Sequence, residues 1–83
     1  MNTLKRGFIY IVETAGGVFE GEFRGSVNSV TIWLPLPFLY TPLCPRLVKQ
    51  TQIGRVIEVC QMTPGLTEAS YHNALDALTH ATG

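Results

Sequence analysis

The hydrophobic pattern divides the chain into segments of different period. Residues 8–12, Phe-Ile-Tyr-Ile-Val, are dense in β-branched and aromatic side chains, and Ala15, Gly16 and Gly17 supply a turn after them. Residues 18–25 then alternate, with Phe19, Gly21 and Phe23 on one side and Val18, Glu20, Glu22 and Arg24 on the other. A period of two with this chemistry predicts a strand with one core face and one solvent face. Gly21 and Gly25 within it predict a bend or bulge, the device that curves a strand. Asn28 and Ser29 mark the next turn, and residues 30–34 read as a third strand stopped by Pro35 and Pro37. Residues 47–51 and 53–60 give two more strands, divided near Gly54. From Thr67 the period changes. Tyr71, Leu75 and Leu78 fall at i, i+4 and i+7 with Ala74 beside them, which predicts an amphipathic helix over 67–81. Thr63 or Thr67 can cap it, Glu68 sits near the positive end of its dipole, and Gly83 lies past its end.

Five short strands before one helix predict a strongly bent antiparallel sheet that closes on itself. With 83 residues the chain forms one domain, residues 1–83, divided into a small barrel over 8–62 and the C-terminal helix. Hydrophobic residues make up 46% and charged residues only 14%, which excludes intrinsic disorder. So little charge on so small a core predicts a homo-oligomer.

Six basic and six acidic residues cancel, so no overall basic field favours nucleic acid. The charge is uneven along the chain, however. Residues 42–62 hold Arg46, Lys49 and Arg55 against Glu58, and residues 63–83 hold only Glu68 and Asp76. A mildly basic centre and a mildly acidic end allow a local anion site or a head-to-tail contact. Cys44 and Cys60 are too few for a disulfide scaffold and lack metal-ligand spacing, so they read as two thiols. The uncharged stretch 30–45 contains Pro35, Pro37, Pro42 and Pro45, which rules it out as a membrane helix, and the apolar run at 8–12 is too short for a signal core. The expected location is the cytoplasm.

Ile9-Tyr10-Ile11-Val12, then the run from Gly16 to Gly25, then Val30-Thr31-Ile32-Trp33-Leu34, together resemble the first motif of the Sm, LSm and Hfq family. The segment from Val48 to Ile57 resembles the second. This resemblance covers about fifty residues and implies a five-stranded, strongly bent barrel of Sm-like or Src-homology-3 type, joined into rings through its fourth and fifth strands and binding single-stranded RNA. Where the family makes its uridine pocket with Asp, an apolar residue and Asn, this chain has Val27-Asn28-Ser29. Lys49-Gln50-Thr51 replaces the Tyr-Lys-His of Hfq, and Ile53-Gly54-Arg55 reverses the usual Arg-Gly order. The helix lies at the C-terminus rather than the N-terminus.

On that resemblance Asn28, Lys49 and Arg55 are the expected contacts for RNA or a nucleotide. Trp33, Leu36, Phe38, Leu39 and Tyr40 are too apolar to leave in water and are expected at an interface, against another subunit or the C-terminal helix. Trp33, Phe38 and Tyr40 also offer the lining of a pocket for a small apolar molecule. His72 and His80 stand two helical turns apart without a third ligand, so no metal is expected, and no cofactor fingerprint occurs. No nucleophile has a His and an acid in a recognisable motif, so the chain is not expected to be an enzyme. The function these readings favour is a non-catalytic, RNA-binding Sm-like oligomer. The alternative is a small-barrel assembly module, of phage or mobile-element type, that binds protein and no nucleic acid.

Overall fold

A computed structural model describes residues 3–39 and 42–81. It contains strands β1 (Phe8–Thr14), β2 (Gly17–Val27), β3 (Val30–Leu34), β4 (Arg46–Lys49) and β5 (Ile53–Gln61), and a helix α1 (Glu68–Ala81). A single 3-10 turn, Gln50–Gln52, joins β4 to β5. The five strands form one antiparallel sheet in the order β4-β3-β2-β1-β5.

The expected barrel does not close. β4 and β5 are the two edges of the sheet, and no ladder joins them among the described residues. This overturns the Sm-like and Src-homology-3-type small barrel, and with it the ring assembled through strands four and five. The geometry nevertheless curls strongly at one end. Laid flat, the two edges of a five-stranded sheet lie about 19 Å apart, four inter-strand spacings, whereas a 3-10 turn of this length advances only about 8 Å. The turn therefore draws the edges towards each other at that end. Irregularities in register between Phe23 and Gly25, between Ile9 and Tyr10, and between Val12 and Thr14 provide the bends. Closure fails because β4 is only four residues long and follows Pro45 directly, so it offers little backbone for a further ladder.

Inside the curl lies an aromatic core. Tyr10, Val12, Phe23, Trp33 and Val48 are buried, with Phe19 packed against them. Trp33 is its centre, with the rings of Tyr10, Phe19 and Phe23 set edge-on at 5.8, 5.7 and 5.1 Å. Its indole N–H donates to Thr31 Oγ1 at 2.8 Å, and Thr31 donates in turn to the carbonyl of Val48 at 3.0 Å. The alternation of Phe19, Gly21 and Phe23 thus reads correctly as the inner face. A Cβ on Gly21 would approach the Leu34 carbonyl to 3.1 Å, so this glycine permits close packing of β2 on β3.

The opposite face is not the open, solvated one that Glu20 and Glu22 suggest. α1 lies over it, beside β5, and a second core forms from Ile9, Leu36 and Tyr71 with Phe38, Leu39, Val59 and Leu75 around them. The apolar segment after β3 folds back onto its own helix, with Phe38 and Tyr71 rings 5.4 Å apart. Thr67 is the residue that caps the helix, its Oγ1 accepting from Ser70 N–H at 3.1 Å. Tyr71 passes through this second core and donates its hydroxyl to Glu20 on β2. Burial, together with the hydrogen bond to Glu20 and the carboxylate's charge, pushes the Tyr71 phenol far above its ordinary range. The folded state therefore favours the protonated phenol. That contribution is complete below the unfolded pKa of about 10 and is lost as pH rises beyond it. Tyr71→Phe should cost about 1–3 kcal/mol at neutral pH and flatten the alkaline decline, which urea melts between pH 7 and 11 would show.

Candidate functional site

Of the three residues expected to contact RNA, two are brought together. The Asn28–Ser29 turn between β2 and β3 has positive φ at both residues, 52° and 63°, as a two-residue hairpin of type I′ requires. Lys49 pairs with Val30 directly beside that turn, and Gln50 N–H donates to Ser29 C=O at 2.9 Å. Arg55 stands apart on β5, its guanidinium 3.0 Å from Glu13. Among the described residues no stacking surface for bases accompanies them. Trp33 is enclosed in the inner core and Leu36 in the outer one, while Phe38 and Leu39 pack beside Leu36 and Tyr71. Tyr40 lies outside the described residues, and of the other two residues expected to line an apolar pocket, Trp33 belongs to the inner core and Phe38 to the outer one. With the barrel open and these rings spent on packing, the Sm-like RNA-binding reading and its small-barrel alternative are both set aside.

Two other features stand out, and sequence reasoning missed both. The first is the free edge of β4. Gln50 and Ser29 form a hydrogen-bonded pair, so alternation along the ladder makes Thr31–Val48 and Trp33–Arg46 the next such pairs. The N–H and C=O of Leu47 and the N–H of Lys49 consequently point away from β3, where no further strand lies among the described residues. Leu47 is 67% exposed on the outer face, where Ile32 opposite it and the Val27–Val30 pair continue an apolar strip. β4 carries two cations and no acid. Arg46 lies over the Phe19 ring at 4.4 Å, and neither Arg46 nor Lys49 belongs to an ion pair among the described residues.

The second feature is a cleft of about 840 Å³ at the curled end, between the bend of β2 and the start of β5. Phe23, Ile53, Val56 and Leu4 supply its apolar surface, and Arg6, Arg55 and Gln50 its polar rim. At the bend, Gly25 has φ +123°, and a Cβ there would stand 3.3 Å from Arg6 Nε. The missing side chain leaves room for the guanidinium, whose Nε donates to the Arg24 carbonyl at 3.2 Å. The one sequence signal was Gly25 itself, read as a bulge. What it accommodates depends on pairing with β3 and could not be read locally.

Among the described residues no group of three or more His, Cys, Asp or Glu side chains gathers as a metal site would require. Cys44 is exposed and Cys60 half-buried, both as free thiols, and burial raises the pKa of Cys60. No described helix is long and apolar enough to cross a membrane. Compared with protein families, curated proteins and solved structures, the chain gives no match, so no family supports the Sm resemblance.

The bend at Gly25 gives a direct test of this local design. Gly25→Ala should lower stability by about 1–3 kcal/mol because an L side chain is strained at this φ. Gly65→Ala meets nothing within 4 Å and should stay within about 0.5 kcal/mol of the parent in the same urea melts.

Proposed function

We propose that this protein is a non-catalytic binding domain that receives an extended, acidic segment of a partner protein along the free edge of β4. The observation that carries this reading is the edge itself, with backbone groups of Leu47 and Lys49 directed outward beside an exposed apolar side chain. An added strand gains main-chain hydrogen bonds from such an edge and side-chain selectivity from alternate positions. Here the alternate positions on the outer face are Leu47 and Lys49. An apolar residue of the partner covers Leu47, and a carboxylate answers Lys49. A second copy of this chain fits the edge less well, since its β4 brings the same two cations. The two free thiols accord with a cytoplasmic setting for this role.

Leu47→Pro tests the proposal. It removes one outward N–H while leaving the β3–β4 ladder bonds in place, a substitution that edge strands tolerate. A short fluorescein-labelled peptide alternating glutamate with valine should bind the parent protein, protect the Lys49 amide from exchange, and lose at least about tenfold in affinity with the variant. A lysine-valine peptide should not bind. Equal binding of both peptides, or no effect of Leu47→Pro, would overturn the reading. So would a concentration-dependent dimer in light scattering that the variant abolishes, because the edge would then serve a second copy.

A further inference from the structure

The cleft at the curled end is separate from the β4 edge, as residues 46–49 do not line it. We infer that it is a binding site for a small amphiphilic anion, whose oxyanion head sits on Arg6 and whose apolar body lies on Phe23, Ile53 and Val56. Three observations converge on this.

The first is the state of Arg6. Its Nε donates to the Arg24 carbonyl at 3.2 Å, which orients the guanidinium and leaves the paired N–H groups of Nη1 and Nη2 as an end-on fork. Arg6 belongs to no ion pair among the described residues. Holding a guanidinium in one orientation without a carboxylate is what a receptor for a planar or tetrahedral oxyanion requires. The second is Gly25. Its φ of +123° is strained for any side chain, and the space it leaves is the space in which Arg6 lies. The bend thus gives the cation a place against the backbone of β2. The third is the composition of the lining. The described residues around the cleft include two arginines and no acidic side chain, while Leu4, Phe23, Ile53 and Val56 give it an apolar floor. Arg55, on the opposite wall, is already balanced by Glu13. One uncompensated positive charge over an apolar surface selects a ligand with one anionic end and a hydrocarbon remainder. The volume is within the usual range for small-molecule sites, roughly 300–1,000 Å³.

Carboxylates and phosphate monoesters share this head-group chemistry, and the experiment separates them. Isotope-labelled protein is titrated with octanoate, octyl phosphate and the neutral octanamide while amide shifts are followed. Shifts at Gly25, Gly54 and Val56 are expected with at least one anion. That anion should bind about tenfold or more tightly than octanamide, the difference expected of a charged hydrogen-bonded pair. Preference for octanoate identifies a carboxylate ligand and preference for octyl phosphate a phosphate monoester. Arg6→Ala, at an exposed position that leaves both cores intact, should reduce the anion to the affinity of the amide, with Arg6→Lys between the two. Leu47→Pro should leave anion binding unchanged, so the β4 reading and this one stand or fall separately. Shifts confined to other parts of the protein, equal affinity for octanamide, no binding of any probe, or indifference to Arg6→Ala would each overturn the inference.

Discussion

The rest of the molecule depends on how one indole is satisfied. Trp33 is fully enclosed, and an enclosed N–H without an acceptor costs several times what a net hydrogen bond returns. Its acceptor is Thr31 Oγ1, two residues earlier on the same face of β3, and Thr31 passes the bond on to the carbonyl of Val48. This short relay links the aromatic core to the outermost strand. It adds a side-chain bond to the four-residue ladder that holds β4 at the edge of the sheet. Three rings then close edge-on around the indole, one from β1 and two from β2, so the inner faces of four strands answer to a single side chain.

The two faces of the sheet reach the same end by different means. The inner face is filled by its own strands. The outer face borrows its cover, from α1 beside β5 and from the proline-rich segment after β3. Tyr71 joins the two layers, because its ring lies in the outer core and its hydroxyl reaches Glu20 on β2. The cover stops short of the end of β2 and of β4, where Val27 and Leu47 remain exposed. The uncovered strip therefore runs outward to the unpaired edge, which it reaches at Leu47. Both follow from a helix that packs against the opposite edge of the sheet.

Much of the fold was legible because it is local. The third strand occupies residues 30–34 as its β-branched run indicated, the Asn28–Ser29 turn lies where the side chains suited to positive φ occur, and the helix presents Tyr71 and Leu75 as its spacing required. What was not legible is relational. Apolar alternation interrupted by glycine is shared by any curled antiparallel sheet, so it led to a closed barrel, whereas closure turns on whether β4 and β5 form a ladder. Glu20 alternates like a solvent-facing residue but is half-buried, because a helix fifty residues later brings it a phenol. Arg6 reads as a flank to the first apolar run until the bulge opposite Ile32 brings Gly25 beneath it. In the same way Trp33 was placed at an interface by its size, although Thr31 beside it already offers the partner that lets it be buried.

The 3-10 turn Gln50–Gln52 carries a consequence of another kind. It is a strap across the open end of a sheet whose edges are otherwise unattached, and the cleft lies beneath it. The cleft is thus bounded by a surface turn on one side and floored by Phe23, Ile53 and Val56 of the inner core, while the outer core stands apart from it. A change of length in that strap would move Gln50 and Ile53 at the rim and press on the inner core, while Tyr71, in the outer core, kept its surroundings. A fold divided in this way ties what it admits to the packing of one core and leaves the other to hold the helix in place.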